Sequence, residues 1–468
     1  MTESFFKMLS EALGEQTARV AREAVAREAS VSVRLHPSRI PAGQGPAEAA
    51  AHRFGEGIRP VPWNPLGFLL PSRPSFTLDP HFHGGAYYVQ DSSAMFVGHA
   101  FRQAAAAAER PIRRVLDLCA APGGKTTDLA ASLRECWGDR FVLVANEVMN
   151  ARVRVLSDNA GVWGDPAVVV TACDPAAMRA LPHFFDAVVA DVPCSGEGMF
   201  RKDAEAVRQW SPQQVALCQG RQRRILSDVW PSLAPGGLLV YATCTFNRNE
   251  NDDNVAWICR ELGAETLDLN IDMPGVVRTS RGYALVPGLV PGEGQYCAVL
   301  RKTGPDGLQP VRIVPQPKEA LPKGIRLQDY FLDERVPRLA GALVTALPEA
   351  VAACMGTLRG LHPLTAGTAV GILKGKDFVP DADLAHCITA RPEAFPREEV
   401  DRETALRFLH GDTLSLPQAP RGFLILCHDG LPLGFVKNVG NRCNNLYPAS
   451  RRIRRDIRME DDLEKIGE

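Results

Sequence analysis

The sequence predicts an α/β fold, with a central domain built on a parallel sheet and a smaller α+β domain on either side of it. Residues 111–303 alternate short apolar runs with helical segments, which is typical of βαβ units. Residues 1–110 begin with helical periodicity, continue through a Pro/Gly-rich stretch and end in an Ala-rich helix near 94–108. Residues 304–324 hold five prolines and predict a linker to a C-terminal region, residues 325–468.

The composition is that of an ordinary globular protein of two or three domains, with 468 residues, 45% hydrophobic and 23% charged. The formal net charge of -1 argues neither for nor against a nucleic-acid partner, because local patches of charge decide that. The N-terminus lacks the basic-then-apolar layout of a signal peptide, and no apolar run approaches the ~18 residues of a membrane span. We expect a soluble, cytoplasmic protein without a membrane partner, and we expect a monomer.

The twelve cysteines do not follow a metal-binding or disulfide pattern. The closest two along the chain, Cys244 and Cys259, are 259 − 244 = 15 positions apart, so the sequence has no CxxC pair. In a chain without an export signal, most of the twelve are expected to be buried small hydrophobes. We therefore predict no metal site, and we treat Cys194 and Cys244 separately because each follows a predicted strand.

A glycine-rich turn follows the first predicted strand of the central domain. The predicted strands are Val115–Leu118, Phe141–Ala145, Ala167–Thr171, Ala187–Ala190, Leu238–Tyr241 and Tyr296–Leu300. In VLDLCAAPGGKTTDLA the glycines allow close approach of a ligand, and the helix that follows presents free N–H groups. A P-loop would need a glycine where Cys119 stands, and a GxGxxG motif is absent, so ATP and NAD are poor candidates. S-adenosylmethionine (SAM), which contains a nucleoside but no phosphate, is the remaining candidate.

Acidic residues follow the next strands, at the edge where open α/β sheets bind ligands. Glu147 follows the second strand, about where an acid would bind ribose hydroxyls, and Asp174 follows the third, where it could accept the adenine amino group. Asp191 follows the fourth. Each acid taken alone is explained as well by a helix N-cap or a solvated loop carboxylate. Their recurrence at one edge favours a SAM site.

Cys194 in DVPCSGEGMF and Cys244 in ATCTFN follow the fourth and fifth strands, 244 − 194 = 50 positions apart. Because neighbouring strands end at one edge of a sheet, both thiols are expected to line one crevice. C5 of cytosine is too weak a nucleophile to take a methyl group from a sulfonium unaided. Addition of a locally activated thiolate at C6, with protonation of N3, makes C5 reactive. Asp191 is placed to protonate N3, for which its pKa would have to rise in a closed pocket. Two cysteines packed under a sheet edge, without catalysis, are the alternative.

Four segments of the central domain resemble the motifs of the Sun-domain RNA (cytosine-5) methyltransferases. They are DLCAAPGGKTTDLA, NEVMNARVRVLSDNAGVWG, DVPCSGEGMFRKD and LVYATCTFNRNENDDNV. VSVRLHPSRI and YYVQDSSAMF are similar to the family's N-terminal region, and GEGQYCAVLRK to its last catalytic strand. GLPLGFVKNVGNRCNNLYPASRRIR is similar to the C-terminal RNA-binding segment of a bacterial small-subunit rRNA methyltransferase. The resemblance implies a Rossmann-like SAM-dependent methyltransferase core, an N-terminal α+β domain with an RNA-binding or accessory role, and a PUA-like α+β C-terminal region that binds RNA.

The resemblance also implies a role for each site residue. Cys244, in the TC motif, would add to C6 of cytosine, and Cys194, in the PC motif, would assist release of the product. Lys125 would orient the catalytic Asp191, although a structural role in the loop explains it equally well. The implied SAM contacts are Cys119, Ala120, Ala121, Pro122, Gly123, Gly124, Lys125, Glu147, Asp174 and Asp191. The implied product is 5-methylcytosine in RNA, with 16S rRNA or the small ribosomal subunit as the expected partner.

Two positions depart from the family pattern. The family often has Asn where His36 stands, which could alter N-terminal RNA contacts. It often has a Pro-His pair where this chain has Pro287-Gly288, which could shift target preference. The expected RNA contacts are basic residues past the PC motif and around the NRCNNLYP turn, each equally explained as a solvated surface charge. They are Arg201, Lys202, Lys437, Arg442, Arg451 and Arg452.

Three alternatives stay open at this point. A DNA cytosine-5 methyltransferase would use the PC cysteine as nucleophile and generally carries an ENV motif, which does not follow here, whereas a TC cysteine is present. The same chemistry on tRNA remains open, because the catalytic motifs do not name the RNA. A ribosome-assembly factor that binds RNA without catalysis is disfavoured by the retention of both cysteines, Asp191 and the glycine loop.

Overall fold

Four β-sheets organise the part of the chain that the computed structural model describes. The described residues are 3–304, 306–317, 319–375, 377–455 and 457. The end of the predicted C-terminal region, from residue 458 onward, therefore lies outside them. Within the described ranges, no helix is both long enough and apolar enough to cross a bilayer.

The N-terminal region combines helices with an antiparallel sheet of strand order β2-β3-β1-β4. Its elements are α1 (Glu3–Leu13), α2 (Glu15–Val25), β1 (Val31–Leu35), α3 (Pro46–Phe54), β2 (Arg59–Val61), β3 (Asn64–Leu70), α4 (Pro80–His83) and β4 (Tyr87–Val89). The ring of Phe5 on α1 packs edge-on against Phe200 and Trp210, which follow the PC motif, at centroid distances of 5.1 and 5.6 Å. The first helix thus covers the segment that leads away from Cys194.

The central domain confirms the predicted α/β fold. Its elements are α5 (Met95–Ala106), β5 (Arg114–Asp117), α6 (Gly124–Trp137), β6 (Val142–Asn146), α7 (Asn150–Trp163), β7 (Val168–Thr171), β8 (Phe185–Asp191), α8 (Ala204–Gln209), α9 (Pro212–Val229), β9 (Leu233–Thr243), α10 (Asp252–Trp257), β10 (Ala264–Leu267), β11 (Val276–Arg278), β12 (Tyr283–Leu285) and β13 (Gln295–Lys302). All six predicted strands are present, as β5 to β9 and β13. They read as continuous apolar runs because helices cover both faces of a parallel sheet.

Strands β5 to β9 are mutually parallel, and their carboxyl ends meet at one edge. The order of the whole sheet is β11-β12-β13-β9-β8-β5-β6-β7-β16, with β10 paired to β13. Strands β8 and β5 lie at its centre, and Val115, Leu116, Val188 and Val189 are at most 1% exposed. The loops after β5 and β8 therefore follow the two buried central strands of the sheet.

The C-terminal region contains two further sheets, of orders β14-β15-β17-β18 and β19-β20-β21-β22. Its elements are β14 (Val336–Ala340), β15 (Leu343–Leu347), α11 (Glu349–Leu358), β16 (Thr365–Ala366), β17 (Thr368–Lys374), β18 (Asp377–Pro380), α12 (Ala382–His386), β19 (Arg397–Glu399), α13 (Arg402–His410), β20 (Gly422–His428), β21 (Leu431–Asn438) and β22 (Cys443–Asn445). The short strand β16 leaves this region and pairs antiparallel with β7 of the central sheet.

The Pro-rich segment predicted as a linker is fixed along the surface of the chain. The backbone N–H of Val311 donates to Pro182 O, and that of Gln316 donates to Ala352 O. These backbone bonds hold the segment against both the central domain and α11. The C-terminal region is therefore packed onto the central domain and is not a loosely tethered unit.

The three regions meet at the C-terminal end of α7. Arg39, from the N-terminal region, donates to Val162 O at 3.0 Å and to His386 O at 2.8 Å. Gly164 ends α7 with φ of 76°, and a Cβ at this glycine would lie 2.0 Å from His386 O. The backbone N–H of Ile388 donates to Gly164 O. Only glycine permits this close approach of two backbones.

The two departures from the family pattern lie where the N-terminal region packs on the central domain. The buried side chain of His36 is not available for direct RNA contact, which corrects that suggestion, whereas the effect of Gly288 on target preference stays a prediction. His36 is 1% exposed, its ring lies 3.9 Å from that of Trp163, and its Nε2 bonds Trp163 O. Gly288 has φ of 93°, and a Cβ there would lie 2.8 Å from Cβ of Ala24 on α2. His36 therefore packs the N-terminal region onto α7, and Gly288 allows α2 to approach the central domain.

Candidate functional site: the carboxyl edge of the parallel sheet

The glycine-rich loop joins β5 to the start of α6. Gly123 is the N-cap of α6 with φ of 114°, a conformation in the left-handed region that L side chains rarely adopt. The backbone N–H of Ala120 donates to Asn146 O, at the end of β6. The N-terminus of α6 and the carboxyl end of β6 therefore lie next to one another.

Arg34, on β1 of the N-terminal region, forms hydrogen bonds that support this loop. Its Nη2 donates to Gly124 O at 3.1 Å and to Thr127 Oγ1 at 2.5 Å, and its Nε donates to Gln90 Oε1 at 2.9 Å. The side chain is 0% exposed, and Asp128 lies 4.0 Å away. Burial lowers the pKa of Arg34, opposed by the charge of Asp128. No local pattern in the sequence marks this residue, because its hydrogen-bond partners are 56 and more positions away.

The acids at the strand ends occupy different surroundings. Glu147 is buried, accepts from the backbone N–H of Met149 at 2.9 Å, and lies 3.3 Å from Arg152 Nη1. Asp174 is an N-cap that accepts from the N–H of Ala176, which is the alternative role considered for it from the sequence. Its side chain is 53% exposed. Both lie at the carboxyl edge of the sheet, and their roles toward SAM stay predictions.

Asp117, the last residue of β5, is a further buried acid that the sequence analysis did not single out. It is 0% exposed, and Thr126 Oγ1 donates to its Oδ2 at 2.6 Å. Its Oδ1 is a buried oxygen without a hydrogen-bond partner among the described residues. Burial raises the pKa of Asp117 to about 7, against the lowering effect of Thr126 and Lys125. A buried acceptor beneath the loop is suited to a ligand that brings a donor.

The loop fits a SAM-type ligand on the features that the structure shows. Its left-handed glycine, Gly123, forms the turn into α6, and Asp117, which ends the preceding strand, has a buried carboxylate oxygen without a partner among the described residues. Val148 and Met149, directly after Glu147, are each 55% exposed, although they are large and apolar. Such a pair beside a buried acid suits a nucleoside, whose flat base stacks on apolar side chains while its ribose offers hydroxyl groups.

The two thiols meet, as the neighbouring strands predict. Sγ of Cys194 lies 3.2 Å from Sγ of Cys244, in the loops that follow β8 and β9. The pKa of Cys194 is well above its usual range, because of its hydrogen bond with Cys244 and because the group is buried. Either sulfur can be the donor in this contact, and the raised pKa favours the thiol form of Cys194.

A fixed ion pair lies beside the thiols. Lys125 Nζ is 2.7 Å from Asp191 Oδ2, and Gln295 Nε2 donates to Asp191 Oδ1 at 3.1 Å. Burial lowers the pKa of Lys125, but Asp191 outweighs it and the pKa rises, with Cys244 adding to the rise. The ammonium therefore remains charged beside Asp191. The orienting role suggested for Lys125 matches this geometry.

Two buried glutamates accept hydrogen bonds from the loops that carry the two cysteines, and so fix the positions of these loops. Glu250 accepts from the backbone N–H of Ser195 at 3.0 Å, from Gln222 Nε2 at 2.7 Å and from Asn247 Nδ2 at 2.8 Å. Burial raises its pKa, opposed by the bonds from Ser195 and Asn247. Glu197 likewise accepts from the N–H of Phe246 at 2.6 Å. The polar run NRNEND after the TC motif was the available sequence signal for this network.

Some of the expected RNA contacts are engaged inside the protein. Arg201 is 8% exposed in its side chain and forms a two-bond ion pair with Glu293, at 2.7 and 3.0 Å. Arg451 is 9% exposed and lies between two carboxylates of α7 and α12. These two arginines are structural, which corrects their assignment as RNA contacts. Lys437, with Nζ 5.0 Å from the ring of Phe423, stays a candidate, as do Lys202, Arg442 and Arg452.

Family models match three parts of the chain. Residues 105–301 match the 16S rRNA methyltransferase RsmB/F domain. Residues 1–92 match the N-terminal domain of 16S rRNA methyltransferase RsmF, and residues 395–453 match the methyltransferase RsmF PUA domain. The PUA match falls on the second C-terminal sheet, β19 to β22, which confirms the PUA-like prediction for that part.

Curated relatives cover nearly the whole chain. Ribosomal RNA small subunit methyltransferase F of Klebsiella pneumoniae is 31% identical over 431 residues, which is 84% of this chain and 85% of the relative. The protein of that name from Cronobacter sakazakii is 31% identical over 446 residues, 89% of each chain.

Solved structures share the fold of the core. A methyltransferase homolog from Pyrococcus horikoshii, 26% identical, has a TM-score of 0.51 and covers 64% of this chain and 100% of its own. NSun6 from Pyrococcus horikoshii, solved with the SAM analogue SFG, is 17% identical with a TM-score of 0.53, over 65% of this chain and 99% of its own. The chain therefore belongs to the RsmF family of SAM-dependent methyltransferases.

Proposed function

We propose that this protein forms 5-methylcytosine in RNA, with 16S rRNA of the small ribosomal subunit as its substrate, through a covalent bond between Cys244 and C6 of the target base. The observation that carries the proposal is the contact between the two sulfurs, 3.2 Å apart, beside the Lys125–Asp191 pair. SAM supplies the electrophilic methyl group when it is bound. The residues of the chain make the base able to accept that group.

Cys244 is proposed as the nucleophile because its sulfur lies 3.2 Å from that of Cys194, and Cys194 is the thiol whose pKa this contact and burial raise. Because the thiolate is the attacking form, a thiol with a raised pKa is the weaker nucleophile, which leaves Cys244 for the attack. Attack on C6 forms the S–C6 bond and moves the ring electrons toward N3, which takes a proton. Asp191 in its protonated form is proposed to give N3 that proton, and Lys125 and Gln295 then hold the carboxylate that remains.

Cys194 is proposed to act after methylation. C5 then carries both a hydrogen and the new methyl group, so the C5 proton must leave before the S–C6 bond breaks and the aromatic ring returns. Cys194, a thiol in contact with Cys244, is proposed to stabilise the departing Cys244 thiolate through their hydrogen bond, while the C5 proton passes to solvent and the N3 proton returns to the Asp191 carboxylate. In a DNA cytosine-5 methyltransferase the PC cysteine is the nucleophile, which here would be Cys194. The raised pKa of Cys194 does not favour this assignment, because the thiolate is the attacking form.

The RNA part of the proposal is supported by the relatives, whose names specify small-subunit ribosomal RNA, and by the PUA match. The target base must leave its stack to reach the thiols, at a cost of a few kcal/mol that is smallest in loops or incompletely assembled RNA. We propose a cytoplasmic monomer acting on such RNA. The same chemistry on tRNA remains the second candidate for the substrate.

Adduct trapping tests the division of labour. The Cys194→Ala variant, incubated with SAM and cytosine-containing RNA, should accumulate a covalent complex that migrates slowly on a denaturing gel, whereas Cys244→Ala should form neither complex nor product. Cys136→Ala, on the one exposed cysteine of the described residues, is the matched control and should turn over normally. A complex formed by the Cys244 variant and not by the Cys194 variant would reverse the assignment.

Bisulfite mapping of RNA from cells lacking this protein tests the substrate. Loss of protection at a cytosine in 16S rRNA supports the proposal, and loss only in tRNA would replace it with the second candidate. Transfer of no tritiated methyl group to any cytosine-containing RNA would contradict the catalytic part.

A further inference from the structure

The junction between the N-terminal region and the PUA sheet brings together two histidines and an aspartate. His81 lies on α4, His428 is the last residue of β20, and Asp429 follows in the turn to β21. His81 and Asp429 are 348 positions apart along the chain. Within the described ranges, these three are the one set of His, Cys, Asp or Glu side chains with metal-compatible spacing.

The donor atoms converge. His81 Nε2 lies 2.9 Å from Asp429 Oδ2, His428 Nε2 lies 3.8 Å from the same oxygen, and the three atoms lie within 4.8 Å of one another. A tetrahedral zinc ion with ligands at about 2.0–2.2 Å places its ligand atoms roughly 3.4 Å apart. The observed distances bracket that value, so small rotations of the side chains would complete a three-ligand site.

The other ring nitrogen of each histidine is already engaged, in the way that orients metal ligands. His428 Nδ1 lies 2.9 Å from Val400 O, and because a carbonyl only accepts, Nδ1 carries the proton. His81 Nδ1 lies 2.9 Å from Asp79 Oδ1. In proteins, a carboxylate or carbonyl on the far nitrogen is the usual partner of a metal-binding imidazole.

The remaining ring nitrogens of the two histidines both lie near one carboxylate oxygen. Nε2 of His81 is 2.9 Å and Nε2 of His428 is 3.8 Å from Oδ2 of Asp429. A cation at this point would take a lone pair from each of the three atoms. The residue types, two imidazoles and one carboxylate, favour a borderline transition metal over magnesium or calcium.

We propose that His81, His428 and Asp429 bind a zinc ion that joins the N-terminal region to the PUA domain. Asp429 is 67% exposed in its side chain, so a water molecule completes the coordination and the ion exchanges with solvent. The proposal concerns this junction alone and does not depend on the methylation chemistry. Its expected effect is to fix the spacing of the two flanking regions.

Zinc titration of the full chain tests the proposal. After treatment with EDTA and its removal by gel filtration, the protein should take up one equivalent of Zn²⁺ in competition with a chromophoric chelator. Co²⁺ in its place should give the visible absorption of a tetrahedral site. His81→Asn and His428→Asn should each weaken binding at least tenfold and abolish the cobalt spectrum.

His410→Asn is the matched control, because His410 forms a similar exposed pair with Asp412, with Nδ1 and Oδ1 2.8 Å apart. That variant should bind zinc as the unchanged protein does. No saturable binding in the unchanged protein, or equal binding in all variants, would overturn the proposal. If His81 is instead an imidazolium that bridges Asp79 and Asp429, no cobalt spectrum appears, and that result also overturns it.

Discussion

Arg451 provides a quantitative test of how firmly the C-terminal region is fixed to the central domain. Its Nε lies 3.0 Å from Asp158 Oδ1 on α7, and its Nη2 lies 2.6 Å from Asp383 Oδ1 on α12. The side chain is only 9% exposed. Burial lowers the pKa of Arg451, but the two carboxylates outweigh this and raise it, so the guanidinium stays charged. Replacement by alanine therefore leaves two partly buried carboxylates without their cation.

The expected cost follows from the exposure of the partners. Removing one member of a fully buried ion pair costs about 3–5 kcal/mol. The side chains of Asp158 and Asp383 are 30% and 24% exposed, so water offsets part of that cost. We expect Arg451→Ala to weaken the docking of the C-terminal region by about 2–3 kcal/mol, which is roughly a 30- to 150-fold rise in the opening equilibrium.

Hydrogen–deuterium exchange measures this opening directly. Amides of α12 and of β21 should exchange faster by the factor above, while amides of β5 and β8 should keep their rates. Arg454→Ala is the matched control, because Arg454 is exposed and its loss should leave exchange unchanged. If exchange in α12 changes by less than twofold in Arg451→Ala, this ion pair does not hold the two regions together.

Three further predictions concern single side chains. Burial raises the folded-state pKa of Asp117 from 3.8 to about 7, so the folded chain binds this proton more tightly and loses up to about 4 kcal/mol of stability as pH rises from about 4 to 7. Asp117→Asn should remove that slope from urea midpoints measured across this range, and an unchanged slope would refute it. Arg34→Met removes the hydrogen bond to Gly124 O and should weaken SAM binding about tenfold, as measured by calorimetry. An unchanged Kd for SAM would show that the loop keeps its shape without Arg34. Gly164→Ala should lower Tm by at least about 4 °C, because the added Cβ would collide with His386 O. The control is Gly138→Ala, which is also at positive φ but has no atom near its added Cβ, and it should lower Tm less. Equal shifts of Tm in the two variants would assign the effect to backbone strain.

The strands of the core and the meeting of the two thiols were predictable because both depend on local signals. An apolar run that ends in a polar loop predicts a buried parallel strand, and successive strands of a βαβ series are usually neighbours. Cys194 and Cys244 therefore had to approach one another once β8 and β9 were placed side by side. The sequence motifs then assigned the chemistry to positions that the fold brings together.

The supports of the site were not predictable, because each depends on a contact between distant segments. Arg34 is one arginine among many in the sequence, and only the packed N-terminal sheet directs it at the loop after β5. Arg201 and Arg451 illustrate the opposite error, since an arginine in a basic stretch suggests RNA until its buried carboxylate partners are seen. Charge patterns alone do not distinguish a binding surface from an internal ion pair.

The pairing of β16 with β7 has a consequence for the order of events during synthesis. Residues Thr365 and Ala366 supply the hydrogen bonds that cover the outer edge of β7, with Thr365 opposite Val170 and Ala366 opposite Val169. A ribosome has made about 60 more residues after β13 before this edge can close. Until then a short strand that contains three valines presents unpaired backbone groups, and such edges pair readily with other chains. A fragment that stops after β13 would keep that edge open permanently, so the catalytic domain expressed alone should aggregate where the longer chain does not.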